Sequence, residues 1–284
     1  MKPVKQGEPP NGSVEKALKQ PMNPLTTVSR FVYKTWVIAE LEIRKLRHDP
    51  TELITRAVQP ALWLLVFGQV FTRIHAIPTP GGIPYMDFLA PGVLAQSVLF
   101  IAIFSGISLI WERDLGVIHK FLASPTPRTA LALGKALSGG IRALSQAVIV
   151  YVLAVILSVK IDWSPLALIG VLTAILLGAA AFSAFSLIIA LLVKTRERFM
   201  GIGQVLTMPF FFASSAIYPI SIMPGWLKVI AHGNPLTYEV DALRALMLSG
   251  GTSSFGLALD FGVLALVTTV LVIIAGRLYP RAVT

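Results

Sequence analysis

Long apolar runs separated by short polar segments set the plan of the chain. Six runs reach the ~20 mostly apolar residues that a helix needs to cross a bilayer core: residues 53–74, 88–110, 141–159, 165–193, 199–220 and 256–276. They are continuous rather than alternating with a period of two, so they predict helices and not the strands of a barrel. The fourth run is longer than a crossing requires, which predicts tilt or extension past the bilayer. Within it Gly170, Ala174 and Gly178 fall four apart on one helix face. That spacing allows close helix approach, although Gly and Ala are also common in membrane helices generally.

The pattern differs before the first run. Residues 1–24 are polar and contain Pro and Gly, with no apolar core of a signal peptide, and read as a disordered cytoplasmic tail. In residues 25–50, Leu25, Val28, Val32, Trp36, Ala39 and Ile43 recur at intervals of three or four, and Arg44, Lys45 and Arg47 cluster near the end. This predicts an amphipathic helix in the cytoplasmic interface, with Trp36 at headgroup depth; a passive anchor has the same pattern. Asp49 as cap, Pro50 at the first helical position and Glu52 in the first turn then start a new helix. Three parts follow: a tail (1–24), an interface helix (25–50) and a six-span domain (51–284).

Composition agrees with a membrane. Only 13% of residues are charged, against about 25% in soluble domains, and the mean hydropathy is +0.75. The net charge of +10 would suggest nucleic acid in a soluble protein. Here it reports orientation instead. With six spans, 20 of the 24 Lys and Arg residues fall on the side of the termini, and only Arg73, Lys160, Lys228 and Arg244 fall on the other. Both termini are therefore expected in the cytoplasm. With no cysteine, disulfides, thiolate metal sites and Cys nucleophiles are excluded.

One polar insert stands out, "WERDLGVIHKFLASPTPRTALALGKAL", on the cytoplasmic side after the second run. Leu115, Ile118 and Leu122 share a face of a short helix, with Phe121 beside them, and Glu112, Arg113, Asp114, His119 and Lys120 flank that face. Such a helix suits docking into a partner's groove; a solvated loop obeying the positive-inside rule is the alternative. After the fifth run, Pro219, Pro224 and Pro235 break a segment into short helices. Broken backbone at membrane depth is tolerated only against protein or a cavity, and a loop lying on the headgroups is the other reading. Phe210, Phe211, Phe212, Tyr218 and Tyr238 are candidate pathway or gate residues, though aromatics also face lipid or pack between helices.

Much chemistry is missing. There is no G-x-x-x-x-G-K-[ST] phosphate loop, no G-x-S-x-G elbow, and no pair of the four histidines at metal-ligand spacing. No ionisable residue falls in mid-span, which argues against proton-coupled transport. Arg142, at the start of the third run, is expected to snorkel.

Glu112-Arg113, Gly116, Leu122, Ser124-Pro125 and Lys135, with "NPLTYEVDALRALML" at 234–248, make the chain resemble the ATP-binding-cassette type 2 permeases, especially daunorubicin-resistance drug exporters. The resemblance covers nearly everything beyond residue 25. It implies an all-α membrane subunit of a prokaryotic inner membrane that moves amphipathic or lipid-like cargo outward, paired with a second permease, often an identical copy. It also implies two cytosolic P-loop ATPase subunits that carry the ATP and Mg, so that this chain binds no cofactor and catalyses nothing. The Glu112–Leu122 stretch would be the coupling helix, the interface helix would rest on the same ATPases, and the broken segment would form an external gate. Export of lipid-linked glycans by the same architecture, or a membrane enzyme or scaffold recruiting a different cytosolic partner, are the alternatives.

Overall fold

The computed structural model describes residues 50–74, 77–116, 128–193 and 195–279. The interface helix, with Val32, Trp36 and Ile43, lies outside the described residues. Those described are helical, with no strand and one isolated antiparallel bridge, Ile161 to Leu248.

Helix α1 (Pro50–Leu62) continues through a π-helical turn (Trp63–Gly68) into α2 (Gln69–Ile74), and the expected Asp49 cap lies outside the described residues. Pro60 lacks the N–H that the ladder needs, and the wide turn follows within three residues. Helices α3 (Tyr85–Ser105) and α4 (Ile107–Asp114) form one rod joined at Gly106, whose N–H donates to the Ser186 hydroxyl. Then come α5 (Arg128–Ile156), α6 (Pro165–Leu192), α7 (Arg196–Phe212), α8 (Gly225–Gly233), α9 (Pro235–Met247) and α10 (Leu257–Leu278).

The central element is α6. Its Ser164 cap accepts from the Ala167 N–H, Pro165 occupies the first turn, and it packs against α3, α5, α9 and α10. Most of it is buried, although Leu166, Ile169 and Leu172 near its start are exposed. Helices α1, α2 and α10 and the π-helical turn leave Val58, Leu65, Val70, Leu266 and Val270 exposed as well, surface suited to lipid or another chain.

Among the described residues, five stretches are long and apolar enough to cross a membrane: Ala57–Ile74, Tyr85–Asp114, Leu131–Ile156, Pro165–Leu192 and Leu257–Leu278. The run at 199–220 does not become a sixth helix of that length. Helix α7 stops at Phe212 after 17 residues, about 26 Å at ~1.5 Å per residue, short of a ~30 Å core. The physical reason lies downstream. The Asn234 side-chain N–H2 donates to the carbonyls of Phe210 (2.7 Å) and Ala213 (3.2 Å), capping α7 at its C-terminal end. The same side chain's oxygen accepts from the Leu236 N–H and starts α9. One amide thus ends one helix and begins another.

The Gly170–Ala174–Gly178 face is a close-packing surface, and its partner is α9. A Cβ on Gly170 would lie 2.8 Å from a Leu246 methyl, and one on Gly178 would lie 2.2 Å from the Glu239 carboxylate. The reversed order of these pairs makes α9 antiparallel to α6. It also sets Glu239 against the middle of α6, where the sequence places no ionisable group within a span.

Candidate functional site

Three consecutive charged residues close α4, and each binds a different element. Glu112 forms an ion pair with Lys135 of α5. Arg113 donates through Nη1 to the Val193 carbonyl at the end of α6, at 3.2 Å. Asp114 accepts from Arg196 at the start of α7, at 2.6 Å, and the Arg196 guanidinium lies 3.5 Å from the centre of the Trp111 ring. Behind the Glu112 pair stands Tyr279, fully buried; that burial and the neighbouring Glu112 carboxylate push its phenol up to about 12. Glu112 and Lys135, two residues that carry the family resemblance, are therefore partners in space.

The rod then stops. The Leu115 N–H donates to the Trp111 carbonyl and the Gly116 N–H to the Arg113 carbonyl, with Gly116 at φ +69°. That left-handed conformation ends a helix and favours glycine. Leu115 projects outward, 73% exposed. Of the sequence-predicted coupling residues, Glu112, Arg113, Asp114, Leu115 and Gly116 come together here, while Ile118, His119, Lys120 and Leu122 lie outside the described residues. Arg196 was visible in the sequence only as part of a basic loop.

The candidate pathway aromatics separate. Phe210, Phe212 and Tyr218 line one apolar cavity of about 530 Å³ with Trp226, Leu227 and Ile230. Phe210 also packs edge-on against Phe182 and Phe185 of α6. Phe211 is fully buried and meets Trp63 edge-on at 5.1 Å. Tyr238 is elsewhere: its hydroxyl donates to the His232 carbonyl at 2.7 Å and its ring packs on Phe255.

The second concentration of charge is α9, which buries Glu239, Asp241 and Arg244. Both Glu239 oxygens lack a hydrogen-bond partner among the described residues. Asp241 accepts through one oxygen from the Ser253 hydroxyl (2.8 Å) and from the N–H groups of Ser254 (2.7 Å) and Phe255 (3.1 Å). The same Ser253 hydroxyl lies 2.8 Å from Asp260 Oδ2, so its single proton is shared between the two carboxylates. Arg244 donates to the Ser215 carbonyl at 2.8 Å, and its guanidinium lies 3.8 Å from the centre of the Phe88 ring. The sequence signal was the helical spacing of acids and Arg inside an apolar segment; which face they occupy needed the fold. Among the described residues no three His, Cys, Asp or Glu side chains gather as a metal site.

Residues 33–248 match the family described as ABC-2 type transporter. Similar proteins include the "Putative transport permease ycf38" of Cyanophora paradoxa, 26% identical over 230 residues that make 81% of this chain and 79% of that protein. The "Daunorubicin resistance ABC transporter permease protein DrrB1" of Streptomyces coeruleorubidus is 26% identical over 235 residues, 83% of this chain and 80% of that protein. The "Inner membrane transport permease YadH" of Escherichia coli (strain K12) is 24% identical over 233 residues, 81% and 87% respectively. The matched range takes in the α4 tip and reaches one residue past α9, the two places where the charges of this fold concentrate, and the chain belongs to the ABC-2 type transporter permease family.

Proposed function

We propose that this chain is the membrane subunit of an ATP-driven exporter of amphipathic or lipid-like cargo. It assembles with a second copy of itself and with two cytosolic ATPase subunits that bind the ATP and Mg. The observation that carries this reading is the α4 tip: Glu112, Arg113 and Asp114 tie α5, the end of α6 and α7 to one point, beside an exposed Leu115. A push on Leu115 from below would move three helices together. The similarity to a daunorubicin-resistance permease supports outward movement of drug-like amphiphiles.

In this reading the chain crosses the inner membrane six times with both termini in the cytoplasm. The short α7 and the turn after it complete the fifth crossing, and α8–α9 form a re-entrant gate on the outer side. The depth that α9 reaches along α6 supports that gate. Exposed apolar faces on α1, α2 and α7, and the cavity holding Phe210, Phe212 and Tyr218, support a seam between the two copies that cargo follows. Residues 25–50 rest against the ATPases.

Co-purification with the partner ATPase tests the coupling assignment. Leu115→Asp combined with Ile118→Asp should abolish capture of the ATPase while the permease still inserts; unchanged capture overturns it. Cargo class is read from ATPase stimulation in reconstituted vesicles by drug-like amphiphiles, lipids or lipid-linked glycans.

A further inference from the structure

A second cavity, about 450 Å³, lies beside the start of α3, at the end of the α3–α4 rod away from the coupling tip. From Phe88 to Glu112 the rod rises about 36 Å at ~1.5 Å per residue. The cavity's inner wall holds Arg244 and Asp241, 7% and 2% exposed. Its rim holds the exposed residues Pro80, Ser221, His232 and Ser254.

The inner wall is incompletely bonded. Arg244 uses Nη2 on the carbonyls of Ser215 and Phe88, whereas its buried Nε has no hydrogen-bond partner among the described residues. Asp241 takes three donors on Oδ2 and none on Oδ1. The buried Ser215 hydroxyl, on the same wall, is also without a partner. Arg244 and Asp241 form no ion pair with each other, although they stand one helical turn apart, a separation of about 5–6 Å between Cβ atoms. A buried cation and a buried anion with free valences thus face one cavity. A simple anion would satisfy Arg244 and be repelled by Asp241; a simple cation would meet the reverse problem. A ligand carrying both charges, a short bridge apart, satisfies both.

We propose that this cavity binds a zwitterionic phospho-amine group of the phosphoethanolamine type. The phosphate accepts from Arg244, the primary ammonium donates to Asp241 Oδ1, and the Phe255 ring on the cavity wall offers that ammonium an aromatic face. The same chemistry occurs in a phospholipid headgroup and in a free solute, and the site stands on this geometry whatever the cargo of the permease.

The test uses the full chain purified in detergent and titrated with short-chain phosphatidylethanolamine, phosphatidylcholine or phosphatidylglycerol, with bound lipid counted by native mass spectrometry. The ethanolamine lipid should bind about tenfold more tightly than either of the others, and Arg244→Gln and Asp241→Asn should each remove that preference. Because both substitutions touch buried groups, Ser221→Phe at the exposed rim is the second variant. It closes the mouth, leaves the inner wall intact, and should remove the preference with the thermal midpoint unchanged. Competition by water-soluble glycerophosphoethanolamine assigns the site to a free zwitterion; ethanolamine-lipid selectivity without such competition assigns it to a lipid headgroup. Equal affinity for the three lipids, or full binding to a folded Ser221→Phe protein, overturns the proposal.

Discussion

The tip of α4 and the helix α9 each carry three ionisable side chains, and the two regions hold them in opposite ways. At the tip, the side chains of Glu112 and Lys135 are 27% and 20% exposed, and those of Asp114 and Arg196 are 42% and 34% exposed. Pairs this open to solvent are worth about 0–1 kcal/mol each, so the tip joins helices without locking them. On α9 the charges are buried, and each unsatisfied polar group there costs about 1–3 kcal/mol. Asp241 offsets part of that cost through N–H and hydroxyl donors on one oxygen, whereas Glu239 has no partner among the described residues. One region rests on solvent-screened pairs that add little to stability. The other is held in place at an energetic cost, which is common where function requires a strained arrangement.

The hold on α9 begins at Asn234, and removing it is the largest break in this contrast. Asn234→Leu deletes two bonds to the end of α7 and the cap of α9. The expected loss is about 3 kcal/mol from the missing cap and unsatisfied carbonyls, or on the order of 10 °C in thermal midpoint. Asn234→Asp keeps the cap oxygen but turns the donors into an acceptor facing two carbonyls, so it should rescue little. Thermal unfolding of the purified protein reads both; a rescue by Asp would mean that the α9 cap, and not the end of α7, is what matters.

The sequence made the long helices legible because continuous apolar runs need no tertiary information. It also made the close-packing face of Gly170 and Gly178 legible, since a four-residue spacing is local. It did not reveal what that face receives. The partner is α9, too short and too charged to read as a buried element, and its Glu239 reaches mid-depth only because Gly178 leaves room. The length of α7 was misread for a related reason: the residue that ends it, Asn234, lies 21 to 24 positions downstream of the carbonyls it caps. At the α4 tip, helical spacing predicts an amphipathic segment, yet the partners of Arg113 and Asp114 lie 80 and 82 residues away. Only the return of α6 and α7 to that end brings Val193 and Arg196 to them.

Glu239 gives a smaller and opposite effect. Glu239→Met replaces an unpartnered buried carboxyl with an apolar side chain of similar length. Stability should rise by about 1–3 kcal/mol, since apolar replacement of an unsatisfied buried polar group is neutral or favourable. Cargo-stimulated ATPase activity of the assembled complex should fall, as expected when a destabilising group is retained for function. A fall in thermal midpoint would show that the carboxyl is satisfied in the folded protein and would remove the contrast with Asp241.

The smallest stability effect belongs to the tip, and there it should be separated from the functional one. Arg196→Gln and Asp114→Asn, alone and together, remove an exposed ion pair and, with Arg196, its stacking on Trp111. The double-mutant cycle should return about 1 kcal/mol or less in stability. If the pair transmits force between the coupling tip and α7, each single variant should nonetheless lower cargo-stimulated ATPase activity of the complex while its basal ATPase rate persists. The swapped pair, Asp114→Arg with Arg196→Asp, should recover part of that stimulation, because it restores the link with the charges exchanged. A strut that only holds the fold predicts the reverse ranking, with stability and stimulation falling in proportion. The ratio of the two losses, compared with the same ratio for Asn234→Leu, decides whether α4 moves α7 or merely rests beside it.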